Sequence, residues 1–131
     1  MTTPYPESVL AVVLVAHGSR AAEANDAHRE MAADLGRAVE VPVVAAFLEL
    51  AEPSIPDGIA TAVDAGADRV LVLPHFLYPG RHVATDVPAL VDEARALRPA
   101  ATVELLAASG ADPALVALLA GQVRRAAVGD D

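Results

Sequence analysis

"VLAVVLVAHGSR" (residues 9–20) decides the fold: eight aliphatic residues run without interruption into a histidine, a glycine, a serine and an arginine. A Val-rich run of that length, bounded by turn-forming residues, is too short for an ordinary helix and too apolar for a half-exposed strand. It therefore reads as a strand buried on both faces, the kind that occurs inside parallel sheets. Three more runs of the same character follow, "VPVVAAFL" (41–48), "RVLVLP" (69–74) and "ATVELLA" (101–107), recurring roughly every 30 residues. Between and after them lie Ala-rich, helix-favouring stretches at 20–39, 53–67, 86–99 and 112–128. Pro53, Pro88 and Pro113 mark helix starts, and Gly66 and Pro99 mark helix ends.

The alternation of four strands with four helices predicts an α/β domain: an open parallel four-stranded sheet with helices on both faces. Parallel neighbours need crossover connections, and those are right-handed almost without exception. The expected architecture is three-layered, flavodoxin-like or Rossmann-like. At 131 residues the chain fits one domain spanning 1–131, with its core from about 9 to 128.

Composition narrows the function. Without cysteine, a metal must be held by histidine, carboxylate or backbone oxygen. The net charge of −9, with nine arginines and no lysine against eighteen acids, argues against nucleic acid as a partner. No apolar run approaches the roughly 20 residues a membrane span needs, and "MTTPYPES" (1–8) lacks a basic leader region. A cytoplasmic protein with no membrane partner is the expectation. No GxxxxGK[ST] loop occurs, so no nucleotide is expected.

In an open parallel sheet, ligands bind at the carboxyl ends of the strands. After the first strand come His17, Gly18, Ser19 and Arg20. After the second comes Glu49, in "FLELAEPSI", and after the third a long connection (74–88) that holds His75, Gly80, Arg81, His82 and Asp86. Three strands thus deliver polar groups to one edge. Two histidines and a carboxylate suit a borderline divalent metal such as Fe2+, Co2+, Ni2+ or Zn2+, and so few ligands leave coordination positions open. Arg20 and Arg81 offer guanidinium groups to an anionic substrate. Gly18 and Gly80 read as tight turns or places of close approach, and Ser19 as a cap of the following helix or a substrate contact. His28, among Asp26, Arg29 and Glu30, reads as part of an exposed helix face. His75 and Asp86 read as partners that support the ligands from behind.

On these residues the chain resembles the class II tetrapyrrole chelatases, in the sirohydrochlorin chelatase family that includes the CbiX and SirB proteins. "VLVAHGSR", "FLELAEPSI" and "LPHFLYPGRHVATDVPALV" are similar to that family's motifs and stand in its order, over residues 9 to about 125. The resemblance implies an ATP-independent lyase that inserts Co2+ or Fe2+, or in some small relatives Ni2+, into sirohydrochlorin, for cobalamin or sirohaem synthesis. It implies that His17 and His82 deliver the metal, with Glu49 as third ligand or proton acceptor. The metal is then a substrate, and the carboxylate-rich macrocycle is a partner for Arg20 and Arg81. Longer members carry two such domains, so a homodimer would restore their arrangement. Asp112 departs from the family pattern, which often has histidine there. Two other readings stand beside this one: a carrier that binds metal or tetrapyrrole without turnover, and a small α/β hydrolase using His17 and Ser19.

Overall fold

The computed structural model describes residues 8–129, so the N-terminal stretch read for a leader lies almost wholly outside the described residues. In chain order the elements are β1 (Leu10–Ala16), α1 (Ala22–Val39), β2 (Val43–Phe47), α2 (Ile55–Asp64), β3 (Arg69–Pro74), α3 (Arg81–Leu97), β4 (Thr102–Leu105) and α4 (Ala114–Val128). A short 3-10 turn, Ser109–Ala111, precedes α4. The sheet is parallel throughout, in the order β2-β1-β3-β4. Val13 of β1 stands opposite Val44 and Val72, so β-branched side chains line up across the central strands.

Alternation within β1 divides the core. Ala11, Val13 and Val15, with Ala46, Val70 and Val72, face the buried stripes of α2 and α3. Leu10 and Val12 face the other way, toward Leu35 and Val39 of α1 and toward Val41. Each fully buried Val or Ile contributes about 1.5–3 kcal/mol relative to exposure. The first helix therefore covers one face, and α2 and α3 the other. Cover on the α1 side is incomplete. In β3, Val70 and Val72 are fully buried, whereas Leu71 and Leu73 on the α1 side are only half-buried. The last helix has no buried residue and packs chiefly on the turn before it, so the expected cover by a helix after β4 is missing.

Strands lie within two residues of their expected positions, while α3 begins at Arg81 rather than at residue 86. Val83, Val87, Val91 and Ala94 are buried at helical spacing, and that stripe carries the helix through Pro88, which sits in its interior rather than at its start. Arg81, His82 and Asp86 accordingly occupy the first turns of a helix and not a loop. Likewise α2 starts two residues after Pro53, where the Ser54 hydroxyl accepts the Asp57 N–H. Among the described residues, no helix is long and apolar enough to cross a membrane.

Candidate metal-handling site at the carboxyl edge of the sheet

The order β2-β1-β3-β4 makes the boundary between β1 and β3 a switch point: β1 connects toward one side of the sheet and β3 toward the other, which leaves a crevice beyond their carboxyl ends. Backbone pairing continues past the strands on both sides of β1. Leu48 N–H donates to Ala16 O (2.9 Å) and Glu49 N–H to His17 O (3.0 Å), while His75 N–H donates to Val15 O (2.7 Å). The β2 extension thereby sets the Glu49 carboxylate beside the His17 ring, with Oε1 at 2.8 Å from Nε2. Both side chains remain about half exposed, at 49% and 51%.

Gly18 is what permits this approach. Its φ is +97°, and a Cβ there would lie 1.7 Å from the Glu49 carbonyl oxygen. The close neighbour is thus the backbone of the β2 loop rather than a ligand. Gly80 differs: with φ −75° and open space around it, it uses none of glycine's freedom and serves as the extended residue before α3.

A second pair stands at the start of α3. His82 Nε2 lies 2.9 Å from Asp86 Oδ2, one helical turn onward. The two pairs differ: His17 Nε2 is hydrogen-bonded to its carboxylate, whereas His82 Nε2 lies at ion-pair distance from Asp86 without hydrogen-bond alignment; in both rings Nδ1 has no protein partner among the described residues. A carboxylate on one ring nitrogen fixes the proton there and leaves the other nitrogen's lone pair for a metal or a proton. Glu49 occupies that supporting position for His17, and Asp86 places a negative charge beside His82. His82 is not drawn into the His17–Glu49 pair, and no group of three His, Cys, Asp or Glu among the described residues stands close enough to hold an ion. The protein presents two open, separate pairs rather than one closed centre.

The remaining histidines lie behind the edge. His28, expected on an exposed face, is instead buried, 7% exposed, with Nε2 at 2.8 Å from Leu14 O and its ring edge-on to Phe47. Its polar neighbours in sequence, Asp26 and Arg29, pair with each other on the outer face, while Asn25, His28 and Ala32 turn inward. Burial, helped by the nearby His75, lowers the His28 pKa below its ordinary value, so the ring stays neutral. His75 lies nearly parallel to the His28 ring, 6.5 Å away between centroids, and its Nδ1 is bonded to Ser109 Oγ at 3.1 Å. It joins neither exposed pair.

Ser19 does not cap α1. Its Oγ accepts the N–H of Ala21 (3.0 Å), the residue just before α1, and none of the helix's own donors. Asn25 anchors the loop instead: Oδ1 accepts the Ser19 N–H (2.9 Å) and Nδ2 donates to the Ser19 carbonyl (2.7 Å). Sequence reasoning missed this clamp, and its only signal is a lone Asn in the first turn after the HGS loop. Of the nine arginines, Arg29, Arg37, Arg69, Arg95 and Arg98 are ion-paired. Arg20 and Arg81, at the site, have no carboxylate partner among the described residues. Beside the edge opens a cavity of about 690 Å3, walled by His75, Leu73, Leu77, Leu106, Ser109 and Leu118. Asp112 Oδ1, also at its wall, caps α4 by accepting the Ala114 N–H (2.8 Å).

A family model described as CbiX matches residues 11–126. Over 84 residues the chain is 44% identical to the chloroplastic sirohydrochlorin ferrochelatase of Arabidopsis thaliana, covering 63% of this chain and 37% of that protein. Over 82 residues it is 39% identical to the sirohydrochlorin cobaltochelatase of Methanococcus maripaludis, covering 62% and 57%. Among solved structures, a protein of Marinobacter aquaeolei VT8 named as CbiX superposes with a TM-score of 0.78 at 30% identity, over 88% of this chain and 95% of that one. The chain thus spans 37% and 57% of the length of these two curated relatives.

Proposed function

Starting from the fact that the chain belongs to the CbiX family, we propose that it is a sirohydrochlorin metal chelatase, acting as a single chelatase-like domain. The reaction inserts a divalent metal, taken here as substrate, into the tetrapyrrole: two pyrrole N–H protons leave as the metal exchanges its protein ligands for four ring nitrogens. No nucleotide takes part. The relatives are named for iron and for cobalt, which supports Fe2+ and Co2+ alike as the metal; Ni2+ is a third candidate. The product would serve sirohaem or cobalamin synthesis accordingly.

The observation that carries this reading is the His17–Glu49 pair at the carboxyl edge, 2.8 Å between Nε2 and Oε1. With Nε2 held by the carboxylate, Nδ1 of His17 binds the metal weakly and gives it up; His82, with the Asp86 charge beside it, does the same from α3. Weak binding is what the chemistry requires, because a closed four-ligand centre would retain the ion. Displaced pyrrole protons pass to imidazole or carboxylate and then to water, a role suited to groups that are half exposed. Arg20 and Arg81, without carboxylate partners of their own among the described residues, hold the macrocycle's acid groups. Ser19 contacts the substrate's edge, and His75 offers a polar point on the otherwise largely apolar cavity wall, against which the flat ring lies. Because Fe2+ survives in a reducing compartment, we place the protein in the cytoplasm, and we take it to act as a homodimer.

The test is anaerobic insertion: purified protein with sirohydrochlorin and, separately, Co2+, Fe2+ and Ni2+, followed by absorption against a blank without protein. Multiple turnovers with at least one metal are expected. A spectral change that stops at one macrocycle per chain would make the protein a carrier, and no acceleration at all would overturn the reading.

A further inference from the structure

Metal insertion frees two pyrrole protons, and neither metal-holding ring is placed to take them. In the His17 ring Nε2 is bonded to Glu49 and Nδ1 is offered to the metal, so no nitrogen is left over. The His82 ring, with Asp86 beside its Nε2, is committed in the same way. A proton on either ring would also stand next to a dication, and like charges at such range disfavour one another strongly. The acceptor is therefore a base apart from both pairs that still reaches the macrocycle.

His75 meets that description. It is exposed, joins neither pair, and lines the cavity of about 690 Å3 beside the edge. Its Nδ1 is bonded to the half-buried Ser109 through Oγ at 3.1 Å, and its Nε2 has no protein partner among the described residues. Backbone bonds fix both residues. His75 N–H donates to Val15 O (2.7 Å), and the N–H of Gly110, next to Ser109, donates to the carbonyl of Phe76, next to His75 (2.9 Å). A Cβ at Gly110 would lie 1.8 Å from Leu77 O, so glycine is what lets the turn after β4 approach the loop after β3 this closely. The nearly parallel His28 ring lies 6.5 Å from His75 between centroids, and burial keeps it neutral, so it sets no second cation there.

We propose that His75 is the proton acceptor of metal insertion, with Ser109 accepting its Nδ1–H so that the Nε2 lone pair is free for the pyrrole protons. The assignment rests on the chelatase reading and adds a third histidine to it. In each transfer one pyrrole N–H bond breaks, its electron pair stays on the ring nitrogen and becomes a bond to the metal, and the proton bonds to His75 Nε2. The imidazolium then passes that proton to water, which resets the base for the second N–H. A serine hydroxyl suits this cycle, because it accepts from Nδ1–H in the neutral and the charged ring alike. Holding metal and removing protons thus fall to separate rings.

Single-turnover insertion of Co2+ and of Fe2+ into sirohydrochlorin is measured anaerobically for wild type, His75→Gln, His75→Ala and Ser109→Ala, with the affinities for metal and for macrocycle titrated separately. Glutamine keeps a polar side chain at the cavity wall but has no basic nitrogen. His75→Gln is expected to slow insertion by about 100-fold while both affinities stay within about threefold of wild type. Ser109→Ala, which releases the ring from its supporting bond, is expected to slow it by about tenfold. In His75→Ala the rate is expected to rise with added 2,6-dimethylpyridine, a base too hindered to bind metal well, while the wild-type rate does not respond. Insertion by His75→Gln within about threefold of wild type would overturn the proposal, as would a His75→Ala rate indifferent to the added base. A fall in either affinity that matches the fall in rate would also overturn it, because His75 would then hold metal or macrocycle rather than take the proton. A wild type that inserts neither metal would fail the chelatase reading itself, and this assignment with it.

Discussion

His17 and His28 flank the start of one strand-to-helix unit and carry the same ring in opposite surroundings. The His28 ring is buried, bonded through Nε2 to a backbone carbonyl, set against Phe47 and kept neutral by burial. The His17 ring is half exposed and bonded through Nε2 to a carboxylate. A carbonyl partner in the interior makes a histidine part of the core; a carboxylate partner at an open edge leaves its second nitrogen available for metal or proton. Residue type alone does not distinguish the two.

The comparison is broken most severely at Gly18. Gly18→Ala forces a Cβ into the Glu49 carbonyl in a left-handed conformation, so it is expected to destabilise the domain by on the order of 3 kcal/mol and to separate the pair. Calorimetry together with turnover checks both losses. Next in size is His28→Leu, which removes the buried bond to Leu14 O and the edge-on contact with Phe47. About 1–3 kcal/mol of stability should be lost in denaturant titrations, while turnover per folded molecule stays within about threefold. Glu49→Gln sharpens the other side of the comparison. Stability is expected to hold while insertion slows by about 10–100-fold, as for other supporting partners of metal-binding histidines.

The smallest effect is on pH dependence. With its folded pKa below 6.5, His28 takes up a proton in the unfolded chain before it does in the folded one. Its contribution is complete above about pH 6.5 and declines as the pH falls toward the lowered value, by at most about 1.4 kcal/mol per pH unit. Stability curves of wild type and His28→Leu should converge as the pH falls through that window; parallel curves would count against the buried, neutral assignment.

Strand positions were legible because long Val-rich runs bounded by polar residues admit few other readings, and the strand-end rule then led to His17 and Glu49. Where α3 begins was not, because Pro88 imitates a helix start and only the burial of Val83 and Val87 against the rest of the core overrides it. With that boundary misplaced, the one-turn spacing of His82 and Asp86 carried no meaning. The buried face of α1 was hidden for another reason: its inward stripe is Asn25, His28 and Ala32, and the first two are polar residues, satisfied by the Ser19 and Leu14 backbones, that sequence patterning assigns to solvent. An uncovered α4 was illegible in principle, since apolar residues in a helix do not say what they pack against.

The most direct test measures multiple-turnover metal insertion for wild type, His17→Ala, His82→Ala and His28→Leu side by side, at a temperature where all four are folded. We expect losses of at least about 100-fold in the first two variants and near-native turnover in the third. Near-native turnover in His17→Ala, or a loss in His28→Leu equal to that in His17→Ala, would contradict the assignment of the exposed pair to chemistry and the buried ring to the fold.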